Sequence, residues 1–191
     1  MHWVFPNAKE NRDVRATAWY MPTKLSDRPE LQEPEDEEGM LESVAYVESL
    51  IDACVSKGIP PQRIVLGGFS QGCAMALLTD LTSAKYAGRL AGIVGLMGYL
   101  PLGDRLGDLR AKAGLPATHG DVPIFLARGK QDQMIPKKSY EQTLKALSMA
   151  GVDESSLVAR EYEGLGHQLS GAVLKDLSEF LGRVVPDLGS W

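Results

Sequence analysis

Short apolar runs alternate with longer amphipathic stretches along the chain, the arrangement expected of parallel strands joined by crossover helices. His2 to Phe5 reads as a first strand, ended by Pro6. From Asn7 to Gly39 the pattern is irregular, interrupted by Pro22, Pro29 and Pro34, and it closes in the acidic run Glu35 to Glu38. That run reads as a solvated face whose carboxylates also suit the positive end of a following helix. Met40, Val44, Val47 and Ile51 recur at helical spacing toward Lys57, where Gly58, Pro60 and Pro61 supply a stop.

Arg63 to Leu66 then predicts a buried strand, followed by a glycine-rich turn and a helix to about Leu81 with Ala74, Leu77 and Leu78 on one side. Leu90 to Met97 and Pro123 to Ala127 predict two more strands. A helix carrying Tyr140, Thr143, Leu144 and Leu147 is closed by Gly151. Leu157 to Tyr162 is the last expected strand, and Leu169, Val173, Leu177, Phe180 and Leu181 mark the apolar face of a final helix. The expected class is α/β, a mostly parallel sheet flanked by helices, in one domain over residues 1–191.

A formal net charge of −5 argues against a nucleic-acid partner, which would need a clustered basic face. Cys54 and Cys73 each fall in an expected helix and make no disulfide framework, which suits a reducing, cytoplasmic setting. No apolar run is long enough to span a bilayer, so stable membrane insertion is not expected, and a weak homodimer stays open. His and Cys are too scattered for a zinc cage, and no phosphate- or dinucleotide-binding glycine pattern occurs, so neither a metal nor a cofactor is expected.

The strongest local signal is Gly68-Phe69-Ser70-Gln71-Gly72. A bare G-x-S-x-G should occur by chance in roughly one chain of this length in fifteen, so its weight comes from its place between a strand and a helix. Such an elbow needs small neighbours, and Gly67, Gly68, Gly72 and Ala74 provide them. It would expose the Ser70 hydroxyl at a helix start, where the backbone N–H of Gln71 can face a developing oxyanion. An ordinary N-cap serine is the simpler alternative. A nucleophilic serine needs a base, and of His2, His119 and His167 only the last sits in a loop between an expected strand and helix at the carboxyl end of the sheet. In the order Ser, acid, His, the acid should follow an intervening strand, which favours Asp132 and leaves Asp104 as its nearest competitor. Leu100, Met134, Ile135 and Leu165 are the candidate substrate-binding positions; the last three make the triad loops apolar, which suits an acyl chain and equally suits ordinary loop packing.

With Trp3-Val4-Phe5-Pro6, the decapeptide Arg63 to Gly72, Leu100-Pro101-Leu102, Asp132 with Ile135-Pro136, and Gly164-Leu165-Gly166-His167, the chain resembles the acyl-protein thioesterase and carboxylesterase family over nearly its whole length. The resemblance implies an α/β-hydrolase fold and cofactor-free hydrolysis of thioesters on S-palmitoylated proteins or of small carboxylic esters. Cys73, Tyr99 and Arg128 stand where that family usually has Gly, Trp and His. Members also carry several dozen residues before the segment like Trp3–Pro6, including a central strand and a His-Gly loop that gives a second oxyanion N–H. The resemblance thus implies an N-terminally shortened form with a gapped or re-paired sheet. It leaves a small-ester carboxylesterase and a non-catalytic acyl-binding form as alternatives.

Overall fold

A computed structural model describes residues 1–11, 16–25 and 33–187. Among the described residues six strands and five α-helices follow in chain order: β1 Glu10–Asn11, β2 Ala16–Thr17, α1 Glu37–Val55, β3 Val65–Phe69, α2 Gln71–Thr82, β4 Gly92–Leu96, α3 Leu106–Lys112, β5 Ile124–Gly129, α4 Lys137–Met149, β6 Leu157–Tyr162 and α5 Gly171–Val184. β1 and β2 make a small antiparallel pair. The main sheet is parallel in the order β3-β4-β5-β6, with Val65 opposite Gly92, Ile93 opposite Ile124 and Ile124 opposite Leu157.

Parallel strands need covered faces, and alternate side chains supply two separate cores. Ile93, Ile124 and Leu126 point to one side and pack with α1, α2, α3 and α4, whereas Val94, Leu96, Phe125 and Ala127 point to the other and pack with α5. α2 is the central helix: it packs on β3 and β4 and is itself overlaid by α1 and α3, so every residue from Cys73 to Thr82 is buried. That accounts for its burial on every side, where the sequence suggested a single apolar side. α1 is amphipathic, burying Met40, Val44, Val47 and Ile51, and Asp36 caps it by accepting the N–H of Gly39. Gly151 takes φ +77° just past α4, the left-handed stop expected there.

Several boundaries differ from the sequence expectation for physical reasons. Residues 2–5 form no strand: they pair with none of the described strands, and Trp3, Val4 and Phe5 are exposed, with the two rings stacked on each other. Strand propensity alone yields no ladder without a neighbouring edge. The first strand of the main sheet starts at Val65 after a 3₁₀ turn at Pro61–Arg63, and it is half-buried because it lies at the sheet margin. Leu169 precedes α5 and is exposed, so it is no part of that helix's apolar face. The acidic run is not a uniformly solvated face. Glu35 is half-buried and accepts the Tyr99 hydroxyl at 3.1 Å and the Leu102 N–H at 2.7 Å, and Glu37 pairs with Arg105 at 2.9 Å. Two donors offset the cost of taking the Glu35 carboxylate out of water.

His119 is buried in the connection from α3 to the start of β5, its Nε2 2.7 Å from Asp80 Oδ2. Beside them the buried Arg110 guanidinium donates to the carbonyls of Leu81, Pro116 and Thr118, tying the α3–β5 connection to the end of α2. Among the described residues no helix is long and apolar enough to cross a membrane.

Candidate active site

The carboxyl ends of β3, β5 and β6 each lead into one of three loops that converge. β3 runs straight into Ser70, whose φ of 56° and ψ of −118° form a sharp elbow that lifts the side chain out of the sheet. Few non-glycine residues hold such angles, and doing so costs about 1–3 kcal/mol. The turn also demands small neighbours: a Cβ on Gly68 would lie 2.2 Å from the backbone of Gly72. The Ser70 N–H donates to the Leu96 carbonyl at 2.9 Å, fastening the elbow to the end of β4.

Across from it, His167 Nε2 is 3.0 Å from Ser70 Oγ, and His167 Nδ1 is 2.8 Å from Asp132 Oδ2. The Asp132 side chain is fully buried, and its second oxygen accepts the N–H groups of Met134 and Ile135 at 2.8 and 2.9 Å. With both oxygens engaged, the carboxylate is fixed in direction. It orients the imidazole so that the opposite nitrogen faces the serine. This is the spatial arrangement required for one group to withdraw the serine proton while a third steadies it. Asp104, the alternative acid, lies instead near Glu35 on the Leu102 turn.

Gln71 opens α2, and its backbone N–H is in the first turn, where helical N–H groups lack an intrahelical acceptor. Its side chain is used elsewhere: Oε1 accepts the Trp19 N–H at 3.1 Å and Nε2 donates to the Tyr20 carbonyl at 3.2 Å. The elbow thereby holds the Trp19–Tyr20 segment in place. Of the expected substrate-binding positions, Met134 is exposed at the rim, while Leu100, Ile135 and Leu165 are buried by the chain's own packing. The Leu100 N–H donates to Thr143 Oγ1. Cys73 lies directly beneath the elbow, and complete burial pushes its thiol up to about 12, so it is no rival nucleophile.

Three contributors were not identifiable from the motif. Gly129 lets the acid loop meet the histidine loop, because a Cβ there would lie 2.2 Å from the Leu165 carbonyl oxygen and 2.4 Å from that of Gly166. Met97, at φ 48°, places its Sδ where it accepts the Gly129 N–H at 3.1 Å. Phe69, an interchangeable position in G-x-S-x-G, sets its ring 4.9 Å from the His167 ring. Only Gly129 carried a sequence signal, a glycine between the expected strand Pro123–Ala127 and the acid. The family-unusual Arg128 is buried at the end of β5, paired with Glu161 at 2.7 Å and lying over the Tyr140 ring.

Residues 1–185 match the model of the phospholipase/carboxylesterase family. An acyl-protein thioesterase 1 from Emericella nidulans is 34% identical over 96% of this chain and 77% of its own length. One from Yarrowia lipolytica is 36% identical over 94% and 76%. Among solved structures, Arabidopsis thaliana SOBER1 superposes with a TM-score of 0.78 at 26% identity, covering 96% of this chain and 83% of the other. The acyl-protein thioesterase 2 of Zea mays gives 0.73 at 27% identity, covering 94% and 80%.

Proposed function

Starting from a chain that belongs to the phospholipase/carboxylesterase family and is a serine hydrolase of acyl thioesters or carboxylic esters, we propose that Ser70, His167 and Asp132 perform the hydrolysis and that S-acylated proteins are its substrates. The observation that carries the assignment is the continuous relay from Ser70 Oγ through His167 to Asp132, at 3.0 and 2.8 Å. Ser70 Oγ attacks the acyl carbonyl as its proton passes to His167 Nε2, and the tetrahedral oxyanion faces the Gln71 N–H. Asp132 stabilises the imidazolium that results. His167 then hands its proton to the departing thiol or alcohol, leaving an acyl group on Ser70. Water, deprotonated by the same imidazole, attacks that ester; the C–Oγ bond breaks as the imidazolium returns its proton to Ser70 Oγ, releasing the carboxylic acid and restoring the free serine. All three groups come from one chain, so the chemistry needs no second copy. The two free thiols, Cys54 and Cys73, support a cytoplasmic location.

A fluorophosphonate probe, which reacts only with an activated serine, should label the wild-type chain and not Ser70→Ala, and Ser70→Ala should lose hydrolysis. Turnover retained in that variant would remove the mechanism. A folded wild-type chain that the probe never labels would favour a non-catalytic acyl-binding form. For the substrate, a long-chain protein thioester should be turned over with higher kcat/KM than a short aryl ester; the reverse preference would point to a small-ester carboxylesterase.

A further inference from the structure

We propose that Phe69 is a positioning residue for this hydrolysis: its ring holds the His167 imidazole between Asp132 and Ser70 and favours the imidazolium that forms as Ser70 gives up its proton. The inference rests on the assignment of Ser70 and His167 above. Phe69 ends β3, one residue before the nucleophile, and its ring centroid lies 4.9 Å from that of His167 with the planes 57° apart. Both imidazole nitrogens are already engaged, by Asp132 and by Ser70, so the remaining freedom of the ring is to tilt about the line joining them. At 4.9 Å the Phe69 ring is in contact with the imidazole, and such a contact limits that tilt.

The same contact has an electrostatic side. A cation over the face of an aromatic ring, within about 6 Å of its centroid, is attracted by the electron-rich π cloud, and the 4.9 Å separation of the tilted pair lies inside that range. His167 is neutral before reaction and charged during it, so the attraction is stronger in the transition state, the condition for an interaction to raise kcat. Asp132 is the charged group in direct contact with the imidazole. On the neighbouring strand ends Lys130 is paired with Glu163 and Arg128 with Glu161, and on α5 Asp176 accepts the Tyr162 hydroxyl, so these charges are already matched to partners. Phe69 is 38% exposed at the sheet margin, so its ring is not fully taken up by packing in the core.

The test compares Phe69→Leu, Phe69→Tyr and pentafluorophenylalanine incorporated at position 69, each assayed on a short aryl ester across pH. Leu should lower kcat about threefold to tenfold, the equivalent of about 0.7 to 1.4 kcal/mol at 1.36 kcal/mol per decade, with KM within about twofold. The acid limb of its pH profile should move to lower pH, because the imidazolium has lost a favourable neighbour. Tyr should restore both. The fluorinated ring keeps the shape and reverses the face charge, so it should lower kcat and move the acid limb in the same direction as Leu but by less, and it reports even if Leu fails to fold. Wild-type kcat and pH profile in the fluorinated protein would overturn the electrostatic contribution, and wild-type behaviour in Leu as well would overturn the whole inference. Ser70→Ala, run alongside, separates the two levels: activity there would sink the triad assignment itself, whatever Phe69 does.

Discussion

Adding one carbon to Gly129 tests how closely the acid and histidine loops must approach. A Cβ at this position would lie 2.2 Å from the Leu165 carbonyl oxygen, where ordinary contact begins near 3.4 Å, so the two backbones must separate by about 1.2 Å. Both are main chain, so neither can swing aside as a flexible side-chain end would. The Leu165 oxygen also accepts the Gln131 N–H at 2.9 Å, so the intrusion falls on a bond that ties the two loops together. His167 is two residues farther along. Moving it by about 1 Å takes Nε2 from 3.0 Å beyond hydrogen-bond reach of Ser70 Oγ. A misplacement of that size costs about 10² in rate. Overpacking should cost about 1–3 kcal/mol of stability besides. Gly129→Ala should therefore remain folded, with a lowered urea midpoint, while kcat on a short aryl ester and the fluorophosphonate labelling rate both drop about 100-fold. A folded variant with kcat within threefold of wild type would refute the reasoning.

Two further outcomes follow from local features. Ser70→Gly removes the side chain from a backbone setting that costs about 1–3 kcal/mol, against an added unfolded-state entropy of about 0.5–1 kcal/mol; the inactive variant should match or exceed wild-type stability by up to about 2 kcal/mol in urea. A clear loss would mean that the elbow is unstrained. Burial raises the Glu35 carboxyl above its usual 4.5, so the folded protein holds that proton to higher pH than the unfolded chain does. Its stabilising effect is complete below the unfolded value and is lost as pH rises through the raised one. The stability of wild type relative to Glu35→Gln should accordingly decline as pH rises above the ordinary carboxyl value of 4.5, read as melting temperatures; a pH-independent difference would contradict it.

The sequence made the loops of the site readable because each candidate side chain follows a strand, and strand ends in a parallel sheet face the same way. Ser70, Asp132 and His167 could thus be nominated together, although each alone has ordinary alternatives. What pattern could not disclose was which side chains turn inward once elements pack. Glu35 looked like its three acidic neighbours, and only the donors at Tyr99 and Leu102, distant in the chain, distinguish it. Phe69 occupied a free slot in a motif whose meaning lies in its fixed letters. His2–Phe5 shows the opposite error: an apolar, β-prone run reads as a strand, yet a strand exists only as part of a pair, and the partner is not encoded in the run itself.

Ser70 and His167 are carried by β3 and β6, the two margins of the main sheet, three strand spacings or about 14 Å apart. They touch only because the loop after β6 leans back across the tops of the two middle strands. On the proposed assignment of these two residues, catalysis depends on the cohesion of every ladder between them. Fraying at either margin would silence the enzyme while its helices and central strands were still intact, making turnover an earlier casualty of denaturant than the far-ultraviolet signal.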